Sequence, residues 1–156
     1  MDHDITFTCN GEQRTIAAEP RQLLVHALRE QCELTSVHVG CDTANCGACS
    51  VYLDGHLVKS CTLLAVQAEG HEVTTTEGTT NSPTHCRLRE SLHAHGAVQC
   101  GYCTPGMVMT GAYLIDHTSA RSREDVAHGL KGNLCMCTGY MQIIDAITDV
   151  AQEDNS

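Results

Sequence analysis

Length, charge and hydropathy narrow the possibilities for this 156-residue chain before any motif is considered. A net charge of −10, with only nine Lys and Arg residues and no basic stripe, argues against nucleic-acid binding. No apolar run approaches the roughly 18 residues of a transmembrane helix, and the first residues lack the basic and apolar regions of a signal peptide. The sequence therefore predicts a cytoplasmic protein with one domain or two small ones.

Cysteine is the most informative residue type, because the chain contains eleven cysteines. An odd number of cysteines cannot be fully paired in disulfides. In a cytosolic protein, a chain this rich in cysteine binds metal more often than it forms disulfides. The composition therefore predicts metal binding.

The first half of the chain reads as strands with one helix. Residues 5–9 alternate in polarity and precede Asn10-Gly11, a pair typical of a tight hairpin turn. After Pro20, leucine and alanine recur at helical spacing. The predicted elements are a hairpin over 5–18, a helix over 21–31, a second hairpin over 50–61 that turns at Asp54-Gly55, and a strand over 71–78.

The second half is helical in pattern, and the composition changes near residues 79–83. Pro105 favours a helix start, and Ser122 with Asp125 forms a capping-box pattern. The predicted helices cover 84–96, 104–117, 122–133 and 138–152, and together they predict a small bundle. We therefore expect an α+β protein with one domain over residues 1–78 and a second over 79–156.

Four cysteines of the first half have the spacing of an iron–sulfur site. Cys41, Cys46 and Cys49 follow the C-x4-C-x2-C pattern of plant-type [2Fe–2S] proteins, and Cys61 supplies a later fourth thiol. Small residues around them let the backbone approach a cluster closely. Structural zinc is the alternative, but zinc sites generally use two separated pairs of ligands. The spacing favours a [2Fe–2S] cluster.

Four cysteines of the second half form two close pairs. Cys100 and Cys103 precede one predicted helix, and Cys135 and Cys137 precede another. Helix N-termini carry a partial positive charge and free N–H groups, which suit an anionic cluster. Taken alone, this set fits zinc as well as iron–sulfur. Beside the first set, it favours a second [2Fe–2S] cluster.

The remaining residues of interest have simpler interpretations. Cys9, Cys32 and Cys86 belong to neither set, and we expect them to be small buried apolar residues. Tyr102 and Tyr140 lie inside the cysteine motifs, and we expect them to pack over the cluster rather than to act in catalysis.

Three motifs resemble those of the small iron–sulfur subunit of the xanthine oxidase (molybdenum hydroxylase) family. They are GCDTANCGAC at 40–49, QCGYCTPGM at 99–107 and GNLCMCTGY at 132–140. The segment VKSCTLLAVQAEGHEVTTTEG is most similar to the aerobic carbon monoxide dehydrogenase-type small subunits. The resemblance covers nearly the whole chain. It implies an N-terminal β-grasp plant-type ferredoxin domain followed by a C-terminal four-helix bundle that carries a second [2Fe–2S] cluster.

The resemblance also implies partners, because this family divides an oxidoreductase among subunits. A large subunit would carry molybdopterin, expected as the cytosine dinucleotide, and a medium subunit would carry FAD. Two such heterotrimers would form a dimer. The chain would not be catalytic alone but would relay electrons from molybdenum through both clusters to flavin. The substrate pocket would lie in another chain.

Residue by residue, the resemblance assigns Cys41, Cys46, Cys49 and Cys61 to a flavin-side cluster and Cys100, Cys103, Cys135 and Cys137 to a molybdenum-side cluster. Gln99 and Cys137 would approach the pterin of the large subunit. Met136 departs from the family, which usually has arginine between the last two cysteines. A free-standing two-cluster ferredoxin is the alternative function, and a zinc-stabilised interaction module is a third.

Overall fold

A mixed β-sheet forms the first half of the computed structural model, which describes residues 3–153. Within these residues the sheet has five strands: β1 (His3–Cys9), β2 (Glu12–Ala18), β3 (Ser50–Leu53), β4 (His56–Lys59) and β5 (Glu72–Thr74). Their order is β2-β1-β5-β3-β4. β1 and β5 pair in parallel, and the other neighbours are antiparallel.

Both predicted hairpins are confirmed. Asn10 and Gly11 between β1 and β2 have φ of 53° and 81°, and Asp54 and Gly55 between β3 and β4 have φ of 49° and 79°. Two successive positive φ angles give the turn whose twist matches that of the flanking strands. Local sequence therefore determines both hairpins.

The predicted helix over 21–31 is shorter and less regular than expected. α1 (Leu24–His26) begins at Leu24 because Leu23 forms a β-bridge with Leu64. It continues as a π-helical turn over Ala27–Gln31. Leu24 and Leu28 are fully buried against the sheet, where they join a core that includes Ile5 and Phe7 of β1.

The predicted strand over 71–78 is also shortened, since β5 ends at Thr74. The backbone N–H of Thr75 donates to the Asn10 side chain, and the Asn10 amide donates back to the Thr75 hydroxyl. A 3-10 turn over Thr76–Thr79 follows. The Asn10 side chain thus ends the strand by taking the N–H that would extend the ladder.

Helices α2 (Pro83–Ala94), α3 (Thr104–His117), α4 (Arg123–Gly129) and α5 (Met141–Glu153) follow the sheet. α2 packs on α3 and α5, and α4 packs on α5. The buried residues between them include Leu88, Met107, Ile143 and Ile147. The architecture is therefore α+β, and within the described part of the chain no helix is long and apolar enough to cross a membrane.

The ends of these helices match the predictions unevenly. Ser122 and Asp125 form the predicted capping box at the start of α4. α5, however, begins three residues later than the predicted start at Thr138. Gly139 and Tyr140 have φ of 65° and 70°, a left-handed conformation that a right-handed helix cannot contain.

A chain of hydrogen bonds joins the sheet to the helices. The Tyr52 hydroxyl on β3 donates to the Met109 carbonyl of α3 at 2.7 Å and lies 3.0 Å from Nε2 of His85 on α2. Since the phenol proton is used for Met109, Nε2 of His85 carries the proton that reaches Tyr52. Nδ1 of His85 then accepts from the Ser82 hydroxyl at 2.7 Å. When His85 is neutral, every donor and acceptor named in this hydrogen-bond network has a partner.

Burial makes this contact sensitive to acid. His85 is 4% exposed, and its burial, together with the nearby Arg89 cation, lowers the pKa of His85 despite the opposing charge of Asp116. An unfolded chain therefore binds a proton at His85 more readily than the folded chain does. The contribution of neutral His85 to stability is fully present above the unfolded pKa of about 6.5 and is lost as the pH falls below it.

We expect His85→Gln to weaken this acid dependence, because glutamine keeps a donor for Tyr52 and does not titrate. Urea unfolding of the intact chain between about pH 7.5 and about pH 5.5 measures it. His93→Gln, at an exposed position on the same helix, is the control. Equal pH dependence in wild type and His85→Gln would contradict the prediction.

Candidate iron–sulfur centres

The first set of cysteines lies at one end of the sheet. Cys49 directly precedes β3, and Cys61 follows β4 in a 3-10 turn. The two strands pair with Ser50 opposite Lys59, so these two thiols come from neighbouring backbone positions. Cys41 and Cys46 lie in the loop before β3, which places the whole set between the loop and the sheet.

The loop that carries Cys41 folds its backbone towards the sulfur atom. Asp42 and Ala44 have φ of 55° and 63°, so two residues with side chains adopt the left-handed conformation. The backbone N–H groups of Thr43 and Cys46 then lie 3.4 and 3.3 Å from Cys41 Sγ. Hydrogen bonds from Thr43 and then Cys46 lower the pKa of Cys41 to about 6, which favours the thiolate that iron requires.

The other two thiols of this set are in contact and buried. Burial raises the pKa of Cys49 to about 11, and a hydrogen bond and charge interaction with Cys61 contribute to the rise. Both side chains belong to the apolar core beneath the sheet. A ligand bound by these thiols would therefore be anchored in the buried core of the first half.

The second set meets where α3 begins. Cys103 directly precedes α3, and the Sγ atoms of Cys100 and Cys137 are 3.5 Å apart. Burial, followed by a hydrogen bond with Cys135, raises the pKa of Cys103 to about 12. Burial acts to raise the pKa of Cys135 as well, but hydrogen bonds from Thr138 leave it lowered.

Thiols within each set therefore approach in pairs. None of the eleven cysteines forms a disulfide. Among residues 3–153, no three His, Cys, Asp or Glu side chains converge on a single metal position. A [2Fe–2S] cluster takes two ligands on each of two irons, and the thiol pairs of each set are compatible with that arrangement.

The two sets face each other across a cavity of about 350 Å³. Cys41 and Cys46 of the first set and all four cysteines of the second set lie in its wall. The backbone N–H of Leu134 donates to the Cys46 carbonyl at 2.9 Å, so a single hydrogen bond joins the backbones of the two motifs.

Asn133 reinforces this contact from inside the protein. It is 4% exposed, and its side-chain amide lies 3.2 Å from the Gly106 carbonyl and 3.4 Å from the Gly47 carbonyl. Gly47 has a φ of 70°, and a Cβ atom there would lie 2.5 Å from the Gly132 carbonyl. The two motif loops can approach this closely only because glycine occupies the contact.

Comparison with known proteins gives concordant results. A family model described as "2Fe-2S iron-sulfur cluster binding domain" matches residues 7–74, and one described as "[2Fe-2S] binding domain" matches residues 75–148. Caffeine dehydrogenase subunit gamma of Pseudomonas sp. (strain CBB1) is 40% identical over 152 residues, which cover 96% of this chain and 91% of that protein. The xanthine dehydrogenase iron-sulfur-binding subunit of Escherichia coli O157:H7 is 40% identical over 159 residues, covering 96% and 97%.

A solved structure agrees. Quinoline 2-oxidoreductase from Pseudomonas putida 86 superposes with a TM-score of 0.88 at 43% identity and covers 97% of this chain and 94% of that chain. The chain belongs to the family of small iron–sulfur subunits of xanthine dehydrogenase-type molybdenum hydroxylases. The resemblance of the three motifs is thus confirmed, and the chain is a member of a family of oxidoreductase subunits.

Other sequence-predicted residues of this family member have mixed outcomes. Gln99 is exposed beside Cys100 and Cys137, which are exposed as well. Cys9 and Cys32 are buried as expected, and they contact each other. Cys86 was expected to be buried, but it is partly exposed and donates to the Thr80 carbonyl, because its helix face lies at the surface.

Both tyrosines make contacts close to their motifs, and a histidine joins one of them, while their packing over a cluster stays a prediction. Tyr102 stacks on His38 with 4.4 Å between ring centroids, and its hydroxyl donates to the Val39 carbonyl. The Tyr140 hydroxyl accepts from the backbone N–H of Cys135 at 2.9 Å. His38 and Asn133 were missed by the sequence analysis, and the one available signal was a polar residue close to a motif cysteine.

Replacement of Gly47 by alanine should disrupt the contact between the motif loops. Gly70→Ala is a matched control, since Gly70 has a φ of 74° and its Cβ would contact nothing within 4 Å. The control substitution should lower the free energy of unfolding by about 1–2 kcal/mol, because alanine disfavours the left-handed conformation. Gly47→Ala adds overpacking of about 1–3 kcal/mol and should also lower bound iron. Urea unfolding and iron analysis measure both effects, and equal effects of the two substitutions would contradict the prediction.

Proposed function

We propose that this chain relays electrons between two partner subunits through two [2Fe–2S] clusters. The observation that carries the proposal is the direct contact of the two motifs, in which the Leu134 N–H bonds the Cys46 carbonyl. Each bound cluster would accept and release one electron at a time. The proposed ligands are Cys41, Cys46, Cys49 and Cys61 for the flavin-side cluster and Cys100, Cys103, Cys135 and Cys137 for the molybdenum-side cluster.

The donor sets fit these clusters. Each set offers four thiols, and in each set hydrogen bonds lower the pKa of one thiol, Cys41 or Cys135. Backbone N–H groups point at Cys41 Sγ, and such bonds stabilise negative charge on sulfur. The chain's own part in the relay is to hold both sets in a fixed relation through Asn133 and the glycine contacts.

The second set is proposed to face a large subunit that carries molybdopterin. The large apolar side chains that are exposed within residues 3–153 all lie within four residues, along the sequence, of a cysteine of this set, and three of them (Tyr102, Leu134 and Met136) line the cavity with these cysteines; the five are Val98, Tyr102, Leu134, Met136 and Met141. We call these five residues the apolar rim. An exposed apolar cluster around a cofactor site is typical of a protein interface. Cys100 and Cys137 open onto this surface, which suits electron entry from a bound partner.

Gln99 and Cys137 are the proposed pterin contacts. Both are exposed next to the apolar rim, and the Gln99 amide offers a donor and an acceptor for a polar heterocycle. A medium subunit with FAD would receive electrons from the first set. Two copies of this heterotrimer would form the complete enzyme, with the cofactor as molybdopterin cytosine dinucleotide.

We further propose two domains, a β-grasp ferredoxin domain over residues 1–78 and a four-helix bundle over 79–156. β5 ends at Thr74 and α2 begins at Pro83, so the boundary falls in the connecting segment. Arg89 of α2 donates to the carbonyls of Thr76 and Thr79, which ties this segment to the helices.

Loss of one thiol from each set should remove one cluster at a time. Wild type should contain about four iron and four sulfide per chain, and Cys46→Ala and Cys135→Ala should each lose about two of both. In the assembled enzyme, Cys46→Ala should still allow substrate to reduce the molybdenum-side cluster, while flavin reduction is slowed severely. Metal analysis, EPR and stopped-flow absorbance measure these outcomes.

Cys86→Ala is the control, because Cys86 belongs to neither set. Stoichiometric zinc in the wild type would contradict the cluster assignment. Flavin reduction at the wild-type rate in Cys46→Ala would contradict the order of the relay.

The docking face is tested at Met136, which is 99% exposed. Met136→Glu places a charge in the apolar rim and should weaken association with the large subunit at least tenfold, since an unpaired buried charge is costly. Gln13→Glu adds the same charge on strand β2, at the far edge of the sheet, and should leave association unchanged. Association is measured by surface-immobilised binding, and equal affinities of the two variants would contradict the proposed face.

A further inference from the structure

Lys59 is placed where both cysteine motifs meet. It ends β4, two residues before Cys61, and its side chain is partly buried. Its ammonium group donates to the Ala44 carbonyl at 2.5 Å. Ala44 lies inside the loop between Cys41 and Cys46, so this hydrogen bond ties the cysteine loop to the edge strand of the sheet.

The same ammonium group also approaches the second motif. A Cβ atom built on Gly132 would lie 3.2 Å from Lys59 Nζ. Gly132 directly precedes Asn133 and the segment that carries Cys135. The glycine therefore leaves the space that the ammonium group uses, and the cation lies between the loops of both motifs.

The Ala44 bond supports a strained segment of backbone. Ala44 has a φ of 63°, which costs a residue with a side chain about 1–2 kcal/mol unless contacts hold it in place. Its neighbour Asp42 has a φ of 55°. Two N–H groups that point at Cys41 Sγ depend on this conformation, so the anchor that preserves it also preserves those bonds.

Among residues 3–153, no carboxylate forms an ion pair with Lys59. The chain has two lysines in total and a net charge of −10, so a partly buried lysine between the loops of the two cysteine motifs is unusual here. A positive charge of this kind favours the more negative, reduced form of a neighbouring redox site.

We propose that Lys59 is a positioning residue for the flavin-side cluster, which it serves by holding the Cys41–Cys46 loop and by favouring the reduced state with its charge. The proposal rests on the assignment of a cluster to Cys41, Cys46, Cys49 and Cys61. It predicts that hydrogen bond and charge have separable effects on cluster retention and on reduction potential.

Three substitutions separate these effects in the full chain with both clusters bound. Lys59→Met removes the bond and the charge, Lys59→Gln keeps a donor without the charge, and Lys59→Arg keeps both. Lys131→Met is the charge-matched control, because Lys131 is exposed and lies four residues before Cys135. Potentiometric titration followed by EPR gives the potential of each cluster, and iron release to a chelator reports retention.

We expect Lys59→Gln to retain about four iron and to lower the equilibrium constant for reduction of the flavin-side cluster about tenfold, which is 59 mV for a one-electron couple. Lys59→Met should show the same fall and release iron from that cluster faster. In Lys59→Arg, the equilibrium constant for reduction of the flavin-side cluster should stay within about twofold of the wild-type value. Lys131→Met should change the equilibrium constant for reduction of either cluster by no more than about twofold, because solvent and salt screen an exposed charge.

Several outcomes would overturn the proposal. An unchanged reduction potential in Lys59→Gln would exclude the role of the charge. Equal shifts of the potential in Lys59→Gln and Lys131→Met would show that only the net charge of the chain matters, and not the position of Lys59. Loss of the cluster in both Lys59→Met and Lys59→Arg would show that only lysine packing matters. A wild-type chain without two [2Fe–2S] signals would instead refute the proposed function, before any lysine variant is compared.

Discussion

The close approach of two backbone segments is the constraint on which the rest of the molecule depends. The loop that contains Gly47 meets the segment Gly132–Asn133 so closely that a Cβ atom on Gly47 would lie 2.5 Å from the Gly132 carbonyl. Asn133 closes the contact by bonding carbonyls on both sides of it. The rate of electron transfer between two sites falls steeply as the distance between them increases. The contact that joins the sheet to the helices is therefore also the contact that brings the two cysteine sets together.

Other hydrogen bonds between the two halves of the chain help to hold this contact in place. Tyr52 reaches from β3 to both α2 and α3, and its partner His85 has a single protonation state that satisfies all of its neighbours. Each half has a modest core, because the whole chain contains one Phe, four Tyr and no Trp. Small cores are commonly supplemented by bound metal. Bound clusters would tie loops to the sheet on one side and to the start of α3 on the other.

Local patterns predicted much of the fold because the physics behind them is local. Asn10-Gly11 and Asp54-Gly55 form their turns with whatever strands flank them, and Ser122 needs only Asp125 to form its capping box. Cysteine spacing also indicated which thiols lie close together, such as Cys49 with Cys61, while their assignment as cluster ligands stays a prediction.

Contacts between distant residues were not predictable in this way. The parallel pairing of β1 with β5 joins Thr8 to Glu72, and nothing near either residue indicates the partner. β5 ends early because Asn10, far away in sequence, takes the N–H of Thr75. Asn133 and Lys59 look like ordinary polar residues next to cysteines, and their roles emerge only when two loops are folded against each other.

The two cysteine sets differ in exposure, and the proposed direction of the relay rests on this difference. Cys49 and Cys61 are buried, whereas Cys100 and Cys137 are exposed within the apolar rim. An exposed apolar surface is costly in water, and a partner that covers it gains free energy from its burial. In the proposed relay, a partner that covers the second set would also protect it, because exposed thiolates are open to solvent and oxidants. The same five side chains would then supply apolar area for docking and shield the proposed redox site.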